Sequence, residues 1–287
     1  MTSAHEHAHP TGSGSVLWIF VLPFVVAVGG YLAAATIASR RGRPWPWMRS
    51  YFWVLGCTVA FIGLLSPLVI ASLAGFVGHM AAHLMAGMVA PLLLVLAAPF
   101  TLALRALDVV PARRVSRILR SGPARLLMNP VVATMLNVGS MWALYFTPLY
   151  NLAEVPFFHL LLMMHFLAVG YLFTASIASI DPNPHRWSIR ARGIVLLLAL
   201  AAHGVLAKML YAHPLPGVER GDVELAAQLM FYGGDLVDLT LLIVLCAQWY
   251  RASGRRIRSP GDEPDRAAHE EAPSRAQAAP PRTAEES

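Results

Sequence analysis

The stretch His79-Met80-Ala81-Ala82-His83-Leu84-Met85-Ala86-Gly87-Met88 opens an apolar run that continues to about residue 98. Residues four apart lie on one face of an α-helix, so His79 and His83 point in the same direction with Met80 on their flank. Two imidazoles and a thioether are ligands that suit copper. The alternative is a pair of histidines hydrogen-bonded at a membrane boundary. The stretch therefore predicts a membrane helix that carries a candidate metal site.

The composition is that of an integral membrane protein. Hydrophobic residues make up 56% of the chain and charged residues 13%, with a mean hydropathy of +0.56, whereas soluble domains carry about 25% charged residues. The lipid bilayer is thus an expected partner. The net charge of +6 reports basic loops on one side of the membrane and predicts no nucleic-acid binding. A nucleophile motif, a nucleotide loop and a CxxC pair are all missing from the sequence, so no enzymatic activity is expected.

Apolar runs long enough to cross the hydrocarbon core as helices define the fold class. Seven are present, at residues 16–38, 51–73, 79–98, 130–146, 157–180, 193–213 and 225–250. Arginines cluster in the connections after the first, third, fifth and seventh runs and are nearly absent from the others. The positive-inside rule then places the N-terminus outside and the C-terminus in the cytoplasm. The prediction is an all-α, polytopic protein with seven transmembrane helices.

The remaining segments divide the chain into three parts. Residues 1–15 form a polar extracytoplasmic tail with three histidines, residues 16–250 form the transmembrane domain, and residues 251–287 are expected to be a disordered cytoplasmic tail. The connection at residues 101–129 mixes apolar residues and arginine at helical spacing. It is interpreted as an interfacial amphipathic segment broken by Pro111 and Pro123, or as a solvated basic loop.

The predicted topology converts residue numbers into depths, because a helix advances 1.5 Å per residue. Every histidine within a predicted span falls in the outer half of the bilayer or near its middle. Ionisable groups inside a membrane are costly and usually mark a site or a pathway. Asp235 lies at a similar depth and, with Asp238 three residues later, is a candidate hydrogen-bond partner for a metal-bound histidine. The candidate metal ligands are His79, Met80, His83, His159, Met163, His165, His203, His213 and Asp235.

Several short motifs carry a resemblance to a known family. They are His79-Met80-Ala81-Ala82-His83, Val89-Ala90-Pro91-Leu92-Leu93-Leu94, Asp181-Pro182-Asn183-Pro184 and Gly233-Gly234-Asp235. Over about residues 16–250 the chain resembles the seven-helix, CtaG-like assembly factors of caa3-type cytochrome c oxidase. The resemblance implies a bacterial plasma-membrane protein that helps to mature a haem-copper oxidase, with copper delivery as the expected chemistry. Oxidase subunits, and an extracytoplasmic copper chaperone, are the implied partners.

Three hypotheses remain open at this stage. The first is a non-enzymatic assembly factor that binds Cu(I) at an outward-facing His/Met cluster and passes it to an oxidase subunit. The second is a b-type haem protein, in which His83 with His165 or His203 would supply the axial ligands. The third is a proton or metal-ion transporter, which requires polar residues along a path through the membrane.

Overall fold

The structure, a computed structural model, describes residues 13–69, 71–149, 155–213 and 217–257. The described residues form helices and connections without any strand. The N-terminal histidines and most of the expected disordered tail lie outside the described residues. The packing presented below belongs to the unit that ends at Leu245. The helices are α1 (Ser13–Arg40), α2 (Trp47–Val69), α3 (Ala71–Leu84), a π-helix (Met85–Val89), α4 (Ala90–Leu96), α5 (Pro99–Ala106), α6 (Val109–Leu119), α7 (Gly122–Leu127), α8 (Pro130–Phe146), α9 (Pro156–Ala178), α10 (Ile189–Ala212) and α11 (Arg220–Ile257).

Six segments in the described part of the chain are long and apolar enough to cross a membrane. They are Val21–Arg40, Trp47–Leu64, Gly75–Ala106, Phe157–Ala178, Ile189–Ala212 and Arg220–Ser253. Helix α8 is equally apolar but has only 17 residues, about 26 Å at 1.5 Å per residue. The protein is therefore a multi-pass membrane protein. The seventh crossing, at α8, and the orientation of the termini stay predictions.

The third span begins earlier than the sequence predicts. Residues 74–78 were expected to connect two helices, but they lie within α3, which starts at Ala71. Gly75 has φ 53° and ψ −143° inside that helix, a conformation that glycine adopts without steric penalty. The chain therefore kinks at Gly75 and resumes the helix at once, and His79 lies one turn after the kink instead of at the helix start.

Pro91 explains why the helix widens before it. Proline has no backbone N–H and its ring crowds the preceding turn. The Ala90 N–H reaches back five residues to the Met85 carbonyl, so Met85–Val89 forms a π-helical turn. Such turns are frequent at functional sites. Here the widened turn brings Gly87 against α9, where the backbones of Gly87 and Gly170 are in contact.

The basic connection folds into three short helices, α5, α6 and α7. Pro111 was expected to break this segment, but it lies in the first turn of α6, where the missing N–H would have no helical partner in any case. The break falls instead at Leu107 and Asp108, before α6. Val109, Val110 and Ile118 are 62–68% exposed. An exposed apolar side beside arginines fits a helix that lies at the membrane interface.

Asp181, in the connection after α9, forms hydrogen bonds to the start of α5. Its carboxylate accepts hydrogen bonds from the Thr101 N–H at 2.7 Å, the Thr101 hydroxyl at 2.6 Å and the Phe100 N–H at 3.3 Å. The first N–H groups of a helix have no partner within the helix, and a carboxylate satisfies them well. The Asp-Pro-Asn-Pro motif therefore has a structural role in this protein.

Replacing Asp181 by alanine is expected to lower the free energy of unfolding by about 2 kcal/mol, since two helix N–H groups and a hydroxyl lose a charged acceptor. Thermal unfolding in detergent, followed by circular dichroism, measures the change. The matched control is Asp108→Ala, which removes an 80% exposed carboxylate whose ion pair with Arg41 is at the surface. Asp108 precedes α6 but its side chain accepts no hydrogen bond from that helix, so the change in stability should be less than about 0.5 kcal/mol. Equal melting curves for the two variants would contradict the capping role.

Two of the three apolar cores among the described residues follow one another along the helices. One contains Phe76, Met80, Tyr145, Met163 and Phe166 with residues of α10 and α11. The other contains Leu92, Phe173, Ile177, Leu196 and Leu241. Polar side chains that were predicted to be functional lie within the first core and at the junction of the two.

Candidate metal-binding site

A histidine–methionine cluster, formed by His79, Met80, Tyr145, His159 and Met163, lies within the first apolar core. The ring centroids of His79 and His159 are 5.0 Å apart and their planes are nearly perpendicular. Both histidines are 7% exposed, and both methionines are fully buried. Helices α3 and α9 thus bring two imidazoles and two thioethers into one buried region, and α8 adds the phenol of Tyr145. Four of these residues were predicted from the sequence; Tyr145 was not.

Tyr145 connects the imidazole and thioether donors. Its hydroxyl lies 3.4 Å from His79 Nε2 and 3.9 Å from the Met80 sulfur. Its ring also packs edge-on against Phe76, which stacks on His79. These contacts orient the His79 ring. A phenol in this position orients His79 in the way that an outer-shell hydrogen-bond partner orients a metal ligand.

A second polar group surrounds a cavity at the junction of the two cores. This polar cavity has a volume of about 20 Å³ and its donor-bearing side chains are His83, Met88, Asn137, Met141, His203 and Asp238. His83, His203 and Asp238 are 2–5% exposed. Within the described residues, both ring nitrogens of His83 and Nε2 of His203 are buried without a hydrogen-bond partner. Such orphaned buried groups are rare in folded proteins and require an explanation.

Two glycines make room for the cavity histidines. A β-carbon at Gly234 would overlap Cε1 of His203, and one at Gly87 would lie 3.2 Å from Cε1 of His83. Side chains larger than hydrogen at these positions would displace the rings. Gly234 belongs to the Gly-Gly-Asp motif, and its contact with His203 gives a steric reason for glycine at this position of the motif.

The structure distributes the predicted ligands unevenly. It brings six of the nine into the cluster or the cavity: His79, Met80, His83, His159, Met163 and His203. His165 is half-buried and lines a separate apolar groove beside Leu144 and Phe158. His213 is exposed, and its Nδ1–H donates to the Met209 carbonyl of its own helix at 3.3 Å. Asp235 is exposed, whereas Asp238 is 4% exposed and faces the cavity.

The contributions of α8 were not found from the sequence. Tyr145, Asn137 and Met141 all project from this helix into the two polar regions. Asn137 could have been predicted as a functional or structural polar residue, because an amide in the middle of an apolar helix needs a buried partner. Nothing in the sequence distinguished Tyr145 and Met141, since both residue types are ordinary in apolar cores.

The donor chemistry decides which ion these residues could hold. Across the described residues, no three His, Cys, Asp or Glu side chains are close enough together to bind a metal ion. A site in this region would thus use one or two imidazoles together with thioethers. Soft thioethers with imidazole favour Cu(I) over metals that prefer oxygen ligands.

The sequence matches a known protein family. Residues 29–252 match the family described as "Cytochrome c oxidase caa3 assembly factor". The chain is 31% identical over 250 residues to an uncharacterised protein of Mycobacterium leprae, and 32% identical over 260 residues to uncharacterised proteins of Mycobacterium bovis and Mycobacterium tuberculosis. The matches cover 79–83% of this chain but 38–39% of each relative, so the chain spans about two-fifths of their length. No solved structure matches the chain.

Proposed function

Because the chain belongs to the cytochrome c oxidase caa3 assembly factor family, we propose that it helps to mature the copper centre of a haem-copper oxidase and binds Cu(I) at the histidine–methionine cluster. The observation that carries the proposal is the close approach of two buried imidazoles, with ring centroids of His79 and His159 only 5.0 Å apart, in the apolar region that also buries the thioethers of Met80 and Met163. The role is that of a non-catalytic assembly factor.

The chemistry of the cluster suits a cargo site. His79, His159, Met80 and Met163 are neutral donors, and neutral imidazole and thioether ligands suit a soft monovalent ion, whose single charge is the smallest that a copper ion can bring into an apolar region. A small ligand set also permits release of the ion to a partner. Tyr145 would hold His79 in place during exchange through its hydroxyl, which lies 3.4 Å from Nε2.

The proposal includes a setting and partners. We place the protein in a bacterial plasma membrane, with the helix ends near His79 and His159 facing outwards, as the arginine distribution predicts. In that orientation the cluster would receive copper from an extracytoplasmic chaperone and would be accessible to the copper-binding subunits of the oxidase.

The haem alternative is less consistent with the geometry. The cavity between His83 and His203 measures about 20 Å³, whereas pockets for organic ligands measure roughly 300–1,000 Å³. Haem binding between these two histidines would require the helices to separate. An absorbance spectrum of the purified protein tests this directly, since a Soret band would favour haem over copper.

The test of the copper proposal is metal analysis of the full chain, purified in detergent under anaerobic, reducing conditions and loaded with Cu(I). The His79→Ala/His159→Ala variant is expected to bind about one copper fewer per chain than the parent. The control is His165→Ala/His213→Ala, which removes two histidines that lie outside the cluster and should bind as much copper as the parent. Equal copper in the parent and both variants, with all three folded, would overturn the assignment of the cluster.

Cells provide the second readout. A strain without the factor is complemented with the same variants, and the copper content of its caa3-type oxidase is measured. The cluster variant should leave the oxidase copper-deficient, while the control variant should restore normal copper content. Full restoration by the cluster variant would contradict a role for the cluster in copper delivery.

A further inference from the structure

The polar cavity is a separate donor set from the histidine–methionine cluster. His83 follows His79 by four residues in α3, which is one helical turn or about 6 Å along the axis. His83, His203, Asp238 and Asn137 line the cavity together with Met88 and Met141, and apolar side chains form the rest of the wall. These side chains come from α3, the π-helix, α8, α10 and α11. From the sequence, His83 and His203 were predicted as ligands of one cluster and Asp238 as a hydrogen-bond partner of a metal-bound histidine. Met88, Asn137 and Met141 were not predicted as ligands.

The buried ring nitrogens of the cavity histidines point to a small bound species. A polar group that is buried without a hydrogen bond costs about 1–3 kcal/mol, and more when it is charged. Three ring nitrogens of His83 and His203 lack a partner among the described residues, and Asp238 is 4% exposed in the same wall. A cavity of about 20 Å³ exceeds the roughly 10–15 Å³ that one water-sized species needs. One small species would therefore satisfy several of these groups.

The wall chemistry favours a soft cation over water. A water molecule would find hydrogen-bonding partners in His83, His203, Asn137 and Asp238. It would make little use of Met88 and Met141, because a thioether is only a weak acceptor. Thioethers combined with imidazole bind Cu(I) well. The carboxylate of Asp238 lowers the cost of a positive charge in this apolar region, because an opposite charge nearby offsets part of the lost hydration.

We infer that the polar cavity is a second Cu(I) station, in which His83 and His203, with Met141 and Met88, receive the ion and Asp238 balances its charge. The inference rests on the proposed copper function of the neighbouring cluster. His83 lines the cavity and follows His79 of the cluster by one turn of α3, so the two sites are neighbours. Copper would enter at the cluster and be held more deeply at the cavity, where it is shielded from oxidants and competing ligands.

The experiment is a Cu(I) titration of the full chain against a chromophoric Cu(I) chelator, in detergent and without oxygen, with X-ray absorption at the copper edge as a second readout. The parent is expected to bind about two copper ions per chain. Met141→Leu keeps the side-chain volume and removes one sulfur, so it should weaken one of the two sites by at least about tenfold and lower the sulfur signal. His203→Leu should abolish that site and leave the other unchanged.

The matched control is Met135→Leu on the same helix, because Met135 is 66% exposed and lies away from both donor sets. It should bind copper as the parent does, and circular dichroism should show all variants folded. One copper per chain, lost in His79→Ala/His159→Ala and unaffected by Met141→Leu and His203→Leu, would overturn the second station and leave the proposed function intact. One copper lost only in the cavity variants would support the cavity site and overturn the assignment of the cluster. No copper in the parent would overturn both.

Discussion

Gly170→Ala is expected to destabilise the protein by at least about 3 kcal/mol, the largest stability change of any variant considered. The new β-carbon would overlap the carbonyl oxygen of Gly87 and lie 3.0 Å from the Pro91 ring. Overpacking costs about 1–3 kcal/mol when side chains can adjust. Here the opposing atom is backbone, held by the π-helical turn before Pro91, so α9 and the third span must move apart.

The measurement is the yield of monodisperse protein from membranes and its melting temperature in detergent. Gly139→Ala in α8 is the matched control, because a β-carbon at Gly139 meets no atom within 4 Å and alanine is the better helix former by about 1 kcal/mol. The control should be as stable as the parent or slightly more stable. A Gly170→Ala protein that melts with its parent would show that these two helices are not in backbone contact.

The contact between Gly87 and Gly170 illustrates what the sequence could not provide. Helix positions followed from the length of the apolar runs, and α8 begins and ends at the predicted residues, 130 and 146. Which glycine meets which backbone depends on how the helices cross, and that is set by packing between residues distant in sequence. Small residues at such crossings permit close approach in membranes, but the sequence contains 21 glycines and does not identify the pair.

Which face of each helix is buried was equally hard to predict. In a soluble helix, apolar and polar residues alternate with the helical period and reveal the buried face. In a membrane helix, the lipid-facing and core-facing sides are both apolar, so that signal is lost. Met163 and Met164 are neighbours in one apolar run, yet Met163 is fully buried and Met164 is 53% exposed. The sequence predicted Met163 as a ligand because it follows His159 by four residues. The structure buries Met163 and His159.

The two aspartates of α11 show the limit of that spacing argument. Asp235 and Asp238 were placed on one face because they are three residues apart. Three residues turn a helix by 300°, so the two side chains point about 60° apart. The edge of the packed interface falls between them, which leaves Asp235 exposed and Asp238 buried at the cavity. Asp238, and not Asp235, is therefore the carboxylate that lines the polar cavity.

Gly234→Ala is expected to remove the second copper station while leaving the histidine–methionine cluster intact. The new methyl group would overlap Cε1 of His203, and the ring would leave the cavity because the backbone of α11 cannot yield as readily as a side chain. Copper bound per chain should fall by about one, and the oxidase in complemented cells should contain less copper. The control is Gly204→Ala, beside His203, where the added carbon would meet Phe231 at an ordinary 3.6 Å.

The double variant Gly234→Ala/His203→Ala distinguishes a clash with the His203 ring from a general loss of stability. If the methyl group of Gly234→Ala acts through the His203 ring, then adding His203→Ala removes the overlap and should restore most of the lost melting temperature. Copper binding at the cavity should stay absent in this double variant, since the imidazole is gone. Recovery of stability without recovery of copper would identify His203 as the residue that Gly234 accommodates and as a ligand in the cavity. Stability losses that simply add would show that Gly234 and His203 do not share this contact.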